Sequence, residues 1–104
     1  MNPAEPTCGC LNALLERQGF RELAAAQLFS SGVALAPTLD EKQMLARHCL
    51  DELDHFELVS TEFDLHGGGE LLNRVSPAVA ALPSPGSWLE MVTVGILFDR
   101  AGKL

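Results

Sequence analysis

The sequence predicts an all-α helical bundle in one domain. Three observations carry that prediction. Two capping boxes, Thr38-Leu39-Asp40-Glu41 and Ser87-Trp88-Leu89-Glu90, each open a segment rich in apolar residues. The segment after the first box runs without proline or glycine as far as Gly67-Gly68-Gly69. Residues 91–98 have the composition of a buried strand, but no second strand candidate exists to pair with them.

The first predicted helix spans about 9–35. Ala24-Ala25-Ala26 and the Leu and Gln residues around them favour helix, and Gly19 marks a candidate break. The helix stops before Pro37, because a residue preceding proline avoids the α region. The second helix spans 38–65. Thr38 accepts from the first-turn amides and Glu41 reaches back, and the triple glycine ends it. At 1.5 Å per residue it is about 40 Å long, which suits one member of a bundle. The triple glycine is a stop and hinge rather than a phosphate cradle, since no Lys-Ser/Thr follows it and a helix precedes it. Residues 70–86, with Ser76-Pro77 and Pro83-Ser84-Pro85-Gly86, read as a connection in which 78–82 form a turn of helix. The third helix spans 87–104, so three of the four core helices of a bundle are expected.

Composition limits the partners. Seven basic against fourteen acidic residues in 104 give a net charge of −7. No Lys/Arg cluster is present to track nucleic acid or an anionic membrane surface. No apolar run reaches the roughly 18 residues of a membrane span. The start, MNPAEPTCGC, lacks the basic end and apolar core of a leader, so a cytoplasmic protein is expected. Cys8, Cys10 and Cys49 are an odd number, which fits reduced thiols. Cys8-Gly9-Cys10 has no neighbouring Cys/His pair to complete a tetrahedral metal site.

Carboxylates fall where apolar side chains belong. At roughly 100° per residue, Leu45, Phe56, Val59 and Phe63 share one stripe of the second helix. Glu52 falls inside that stripe, His55 lies one turn along beside it, and His48 is also on the inner side. On the first helix, Glu22 falls among Leu11, Leu15, Phe29 and Val33. On the third, Asp99 falls among Trp88, Val92 and Ile96. An unpaired buried carboxylate costs several kcal/mol, against a total stability of about 5–15 kcal/mol for a domain. Most of the seven basic residues lie on outer arcs, whereas metal cations supply compensation directly. Glu52-Leu53-Asp54-His55 is Glu-x-x-His, which puts an oxygen and a nitrogen ligand on one helix face. The plainer alternatives are a local pair of Glu52 with His48 or an arginine, or side chains that reach water.

Arg21-Glu22-Leu23-Ala24-Ala25-Ala26 and the segment 46–56, with Glu52 and His55, resemble the first two helices of the ferritin-like di-iron carboxylate superfamily. Residues 88–102 resemble the third-helix region of phenylacetyl-CoA ring epoxidase subunits, where an Asp ligand matches Asp99. The resemblance covers about 20–104. It implies a di-iron centre held by Glu22, Glu52, His55 and Asp99, and O₂-dependent oxidation of an organic substrate such as an aromatic acyl-CoA. Leu45, Phe56, Val59, Phe29 and Ile96 would line its pocket. One departure stands out: the sequence has no second Glu-x-x-His. Either the chain is the N-terminal part of a longer oxygenase, or two copies assemble the site about a two-fold axis. Encapsulated-ferritin-like proteins are similar in using short chains in the second way, which implies a symmetric homo-oligomer that oxidises or stores iron. A third reading is a metal-free helical interaction module.

Overall fold

The computed structural model describes the backbone of residues 4–103 and the side chains of residues 9–95. Four helices follow one another: α1 (Ala4–Leu35), α2 (Leu39–Leu65), α3 (Leu71–Ala80) and α4 (Trp88–Lys103), with no strand among the described residues. The all-α expectation holds. The first helix starts earlier than expected, at Ala4.

α1 and α2 form an antiparallel hairpin. Its turn is tight because Pro37 cannot continue α1 and Thr38 caps α2. Thr38 Oγ1 accepts from Glu41 N (3.2 Å) and donates to Glu41 Oε1 (2.8 Å). Contacts along the pair fix the register. Lys42 Nζ donates to Val33 O (2.8 Å), the His48 ring packs on Phe29 (centroids 5.4 Å apart), and Asn12 Nδ2 donates to His66 O (3.1 Å). At the far end Gly67 adopts φ 81°, the left-handed conformation that glycine enters without steric cost. Gly67 N then donates to Asp64 O and Gly68 N to Phe63 O, which satisfies two carbonyls of the last turn of α2.

Two expectations are corrected. Residues 70–86 are not merely a connection with a turn at 78–82, because α3 occupies most of them. Leu71, Val75 and Val79 fall at i, i+4 and i+8 and are all buried. That stripe outweighs Pro77, which sits inside the helix and offers no N–H to the carbonyl of Asn73. Gly19 is not a break but a notch. A Cβ there would stand 2.5 Å from Leu71 Cδ2, so only a bare backbone admits this leucine. Gln27 Nε2 bonding Val79 O (3.1 Å) and the Arg74–Glu16 pair fix α3 along α1.

Ser87 caps α4: its Oγ accepts from Glu90 N (3.1 Å). Met91 of α4 is buried against Gly32 of α1. The core has two parts. Leu28, Ala36, Leu45 and Met91 form one, and Phe56, Phe63, Leu71 and Val75 the other. The radius of gyration is 15.5 Å, against about 13 Å for a compact chain of this length. α1 is the hub on which the other three helices pack, and the flanks of α2 are incompletely covered.

Candidate metal centre

Glu22 on α1 and Glu52 and His55 on α2 lie between the two apolar clusters. Glu52 and His55 project together because residues three apart share a helix face. The antiparallel register brings Glu22 opposite them. His55 Nδ1 is 3.5 Å from Glu22 Oε2 and 4.0 Å from Glu52 Oε1. One ligand atom from each of the three residues lies within 4.8 Å of the others.

The shielding is graded. The side chains of Glu22, Glu52 and His55 are 12%, 25% and 57% exposed. The sequence places both carboxylates inside apolar stripes; they are shielded rather than fully buried, and no charged residue is fully buried among the described residues. α3 packs mainly on α1, along the flank of the hairpin that carries Leu53, and the His55 side stays open to water.

The electrostatics follow from that placement. Burial pushes the Glu52 carboxyl up to about 8, helped by its hydrogen bond with Glu22 and by the charges of Glu22 and Asp51. Near neutral pH Glu52 therefore keeps a proton that a cation could replace. Gln18 Nε2 donates to Glu22 Oε1 at 2.6 Å. That bond occupies one carboxylate oxygen and leaves Oε2, the one nearest His55, turned toward the cluster.

The donor set fits a divalent first-row ion. Two carboxylate oxygens and an imidazole nitrogen match the ligand types such ions take. Bonds of about 2.0–2.2 Å put neighbouring ligand atoms about 3 Å apart and opposite ones about 4 Å apart. The separations here, 3.5 and 4.0 Å from His55 Nδ1 and within 4.8 Å throughout, are close to those values.

Of the four residues that the sequence singles out, three converge. Asp99, with the pocket residue Ile96, lies outside the residues whose side chains are described. Leu45 and Phe56 are buried, and Val59 and Phe29 half-buried, on either side of the cluster. His48 packs tilted against Phe29 rather than joining the carboxylates. Gln18 is the residue that sequence reasoning misses. The available signal is an i, i+4 Gln–Glu pair on one helix.

A family model for the ferritin-like domain of actinomycetes matches residues 10–99. No curated protein and no solved structure matches the chain. The matched stretch contains Glu22, Glu52, His55 and Asp99, together with nearly all of the helical hairpin that positions the first three. The chain belongs to this ferritin-like family.

Proposed function

We propose that the chain binds and oxidises ferrous iron at a centre that a second copy of the chain completes. The observation that carries this reading is the convergence of Glu22, Glu52 and His55 on the open side of the α1–α2 hairpin. Among the described residues, one chain brings three ligand side chains together. A two-metal centre of the bundle type uses about twice that number, and a two-fold axis beside His55 would supply a second identical set. Iron, as substrate, gives up electrons to dioxygen. Glu22 and Glu52 neutralise the incoming charge, and Glu52 releases its proton to do so. His55 contributes Nδ1, and Phe29, Phe56 and Val59 keep the surroundings apolar.

The oxygenase reading, with an organic substrate such as an aromatic acyl-CoA, rests on the likeness of 88–102 to ring-epoxidase subunits. It needs a second Glu-x-x-His from outside this sequence. The shared-centre reading needs only residues that this sequence carries.

Anaerobic titration with ferrous iron, followed by sedimentation, tests the proposal. About one iron per chain and a shift from monomer to dimer are expected, both lost in His55→Ala. No binding and no shift with ferrous iron in tenfold excess would overturn it and leave the metal-free helical module standing.

A further inference from the structure

The side of α2 turned away from His55 carries a trough. Leu53 of α2 and Leu72 of α3 stand above Leu23 of α1, and they are 42% and 45% exposed. The three leucines line two adjoining hollows of about 740 and 430 Å³. Two helices resting on a third, with leucines between them, give the shape that accepts an amphipathic helix. α3 has ten residues, so the trough is about 15 Å long and takes about three turns.

Charge separates the candidate occupants. The larger hollow is rimmed by Glu57, Asp64 and Glu70 and has no basic side chain in its lining. The lining of the smaller hollow carries no aspartate, glutamate, lysine or arginine. A second copy of a chain with net charge −7 would bring further negative charge to that acidic end. A helix bearing Lys or Arg at one end would complement it.

We propose that this trough docks an amphipathic helix of a partner protein. Aliphatic anchors at about i, i+4 and i+7 would run along the trough between Leu53 and Leu72, over Leu23. Lys or Arg side chains would meet Glu57, Asp64 and Glu70. The surface is separate from the Glu22–Glu52–His55 cluster, so the proposal stands or falls independently of iron binding.

Fluorescence anisotropy with the full chain tests this at about 0.15 M salt, where long-range attraction is screened. Three labelled peptides of about four helical turns serve as probes. The first is a Leu/Lys amphipath, the second a scrambled peptide of the same composition, and the third a Leu/Glu amphipath. Saturable binding of the first alone is expected. Leu53→Asp and Leu72→Asp, both at exposed positions, should weaken it about tenfold or more. Asp64→Lys with Glu70→Lys should weaken the Leu/Lys peptide and admit the Leu/Glu one. Circular dichroism melts check that the variants stay folded, and two independent leucine variants guard against the loss of one. Three results would overturn the proposal. They are no binding of the Leu/Lys amphipath, equal binding of the scrambled peptide, or unchanged binding in both folded leucine variants. Self-association of the wild type that Leu53→Asp removes would overturn it too, by placing a second copy in the trough.

Discussion

His55 Nδ1 lies 3.5 Å from Glu22 Oε2, across the boundary between the two longest helices. Because Glu52 shares the His55 face, the hairpin holds two carboxyls against one imidazole. Repulsion between the carboxyls and the approach of a cation therefore act on the same atoms.

Removal of Glu52 separates a metal role from a structural one. Glu52→Ala should abolish the ferrous-iron effect on the melting midpoint while leaving the metal-free midpoint equal or higher. Truncation removes a partly desolvated carboxyl and leaves a cavity worth about 1 kcal/mol. A structural ion pair would instead cost roughly 3–5 kcal/mol when broken. Wild type at 100 times the dissociation constant of iron should gain about 2.7 kcal/mol. Thermal melts with and without anaerobic ferrous iron read both quantities.

The pH dependence has a definite sign. Glu52 titrates near 8 in the folded chain, above its ordinary value of 4.5. Between those values the unfolded chain has released a proton that the folded chain keeps. The stability from this group is therefore complete below about pH 4.5 and is lost as pH rises through about 8. Glu52→Gln, which stays neutral, should remove this loss. Urea denaturation of the two proteins at a series of pH values, without metal, gives the difference directly. Iron affinity should run the opposite way and rise with pH up to about 8, because the cation displaces the proton.

Gln18 should matter to the cluster without belonging to it. Gln18→Leu frees Glu22 Oε1 and lets the carboxylate rotate away from His55. Iron affinity is expected to fall by up to about tenfold, near the lower end for residues that orient metal ligands. The number of ions bound and the metal-free melting midpoint should hardly change. Gln18→Asn, one methylene shorter, should behave like the leucine variant if reach is what counts. Calorimetric titration distinguishes affinity from stoichiometry.

The notch at Gly19 predicts a packing defect. Gly19→Val puts two methyl groups where Leu71 is fully buried. Overpacking of this kind costs about 1–3 kcal/mol, which outweighs the gain in helix propensity over glycine. Protease cleavage near Gly69 should accelerate as α3 loosens, while iron binding by the hairpin persists. Chemical denaturation and limited proteolysis measure the two effects.

The sequence made α2 and the start of α4 legible because their ends are written in short-range chemistry. Thr38, Glu41, Ser87 and Glu90 cap, and Gly67 terminates. Glu22, Glu52 and His55 were legible because carboxylates on an apolar stripe conflict with burial unless something compensates them. α3 was obscured by Pro77 and the neighbouring prolines, which weigh against helix locally. What stabilises it is Leu71 in the Gly19 notch, a contact between distant parts of the chain that no local pattern signals. Gln18 was obscured for the opposite reason, since a Gln–Glu pair one turn apart is commonplace on helix surfaces. The openness of the His55 flank depends on which flank of the hairpin α3 packs along, and helical periodicity alone does not decide that.

The turn at 36–38 has a consequence for the order in which the molecule comes into being. Glu22, Glu52 and His55 all belong to the hairpin that this turn closes. During synthesis all three are translated before any residue of α3 or α4. A helical hairpin can zip up from its turn, where contacts such as Lys42 with Val33 are local in sequence and form quickly. On the proposed metal reading, the growing chain would present this cluster while α3 and α4 are still being made. Chelation and the docking of the later helices would then be separable events, and metal supply would act on the nascent protein as well as the folded one.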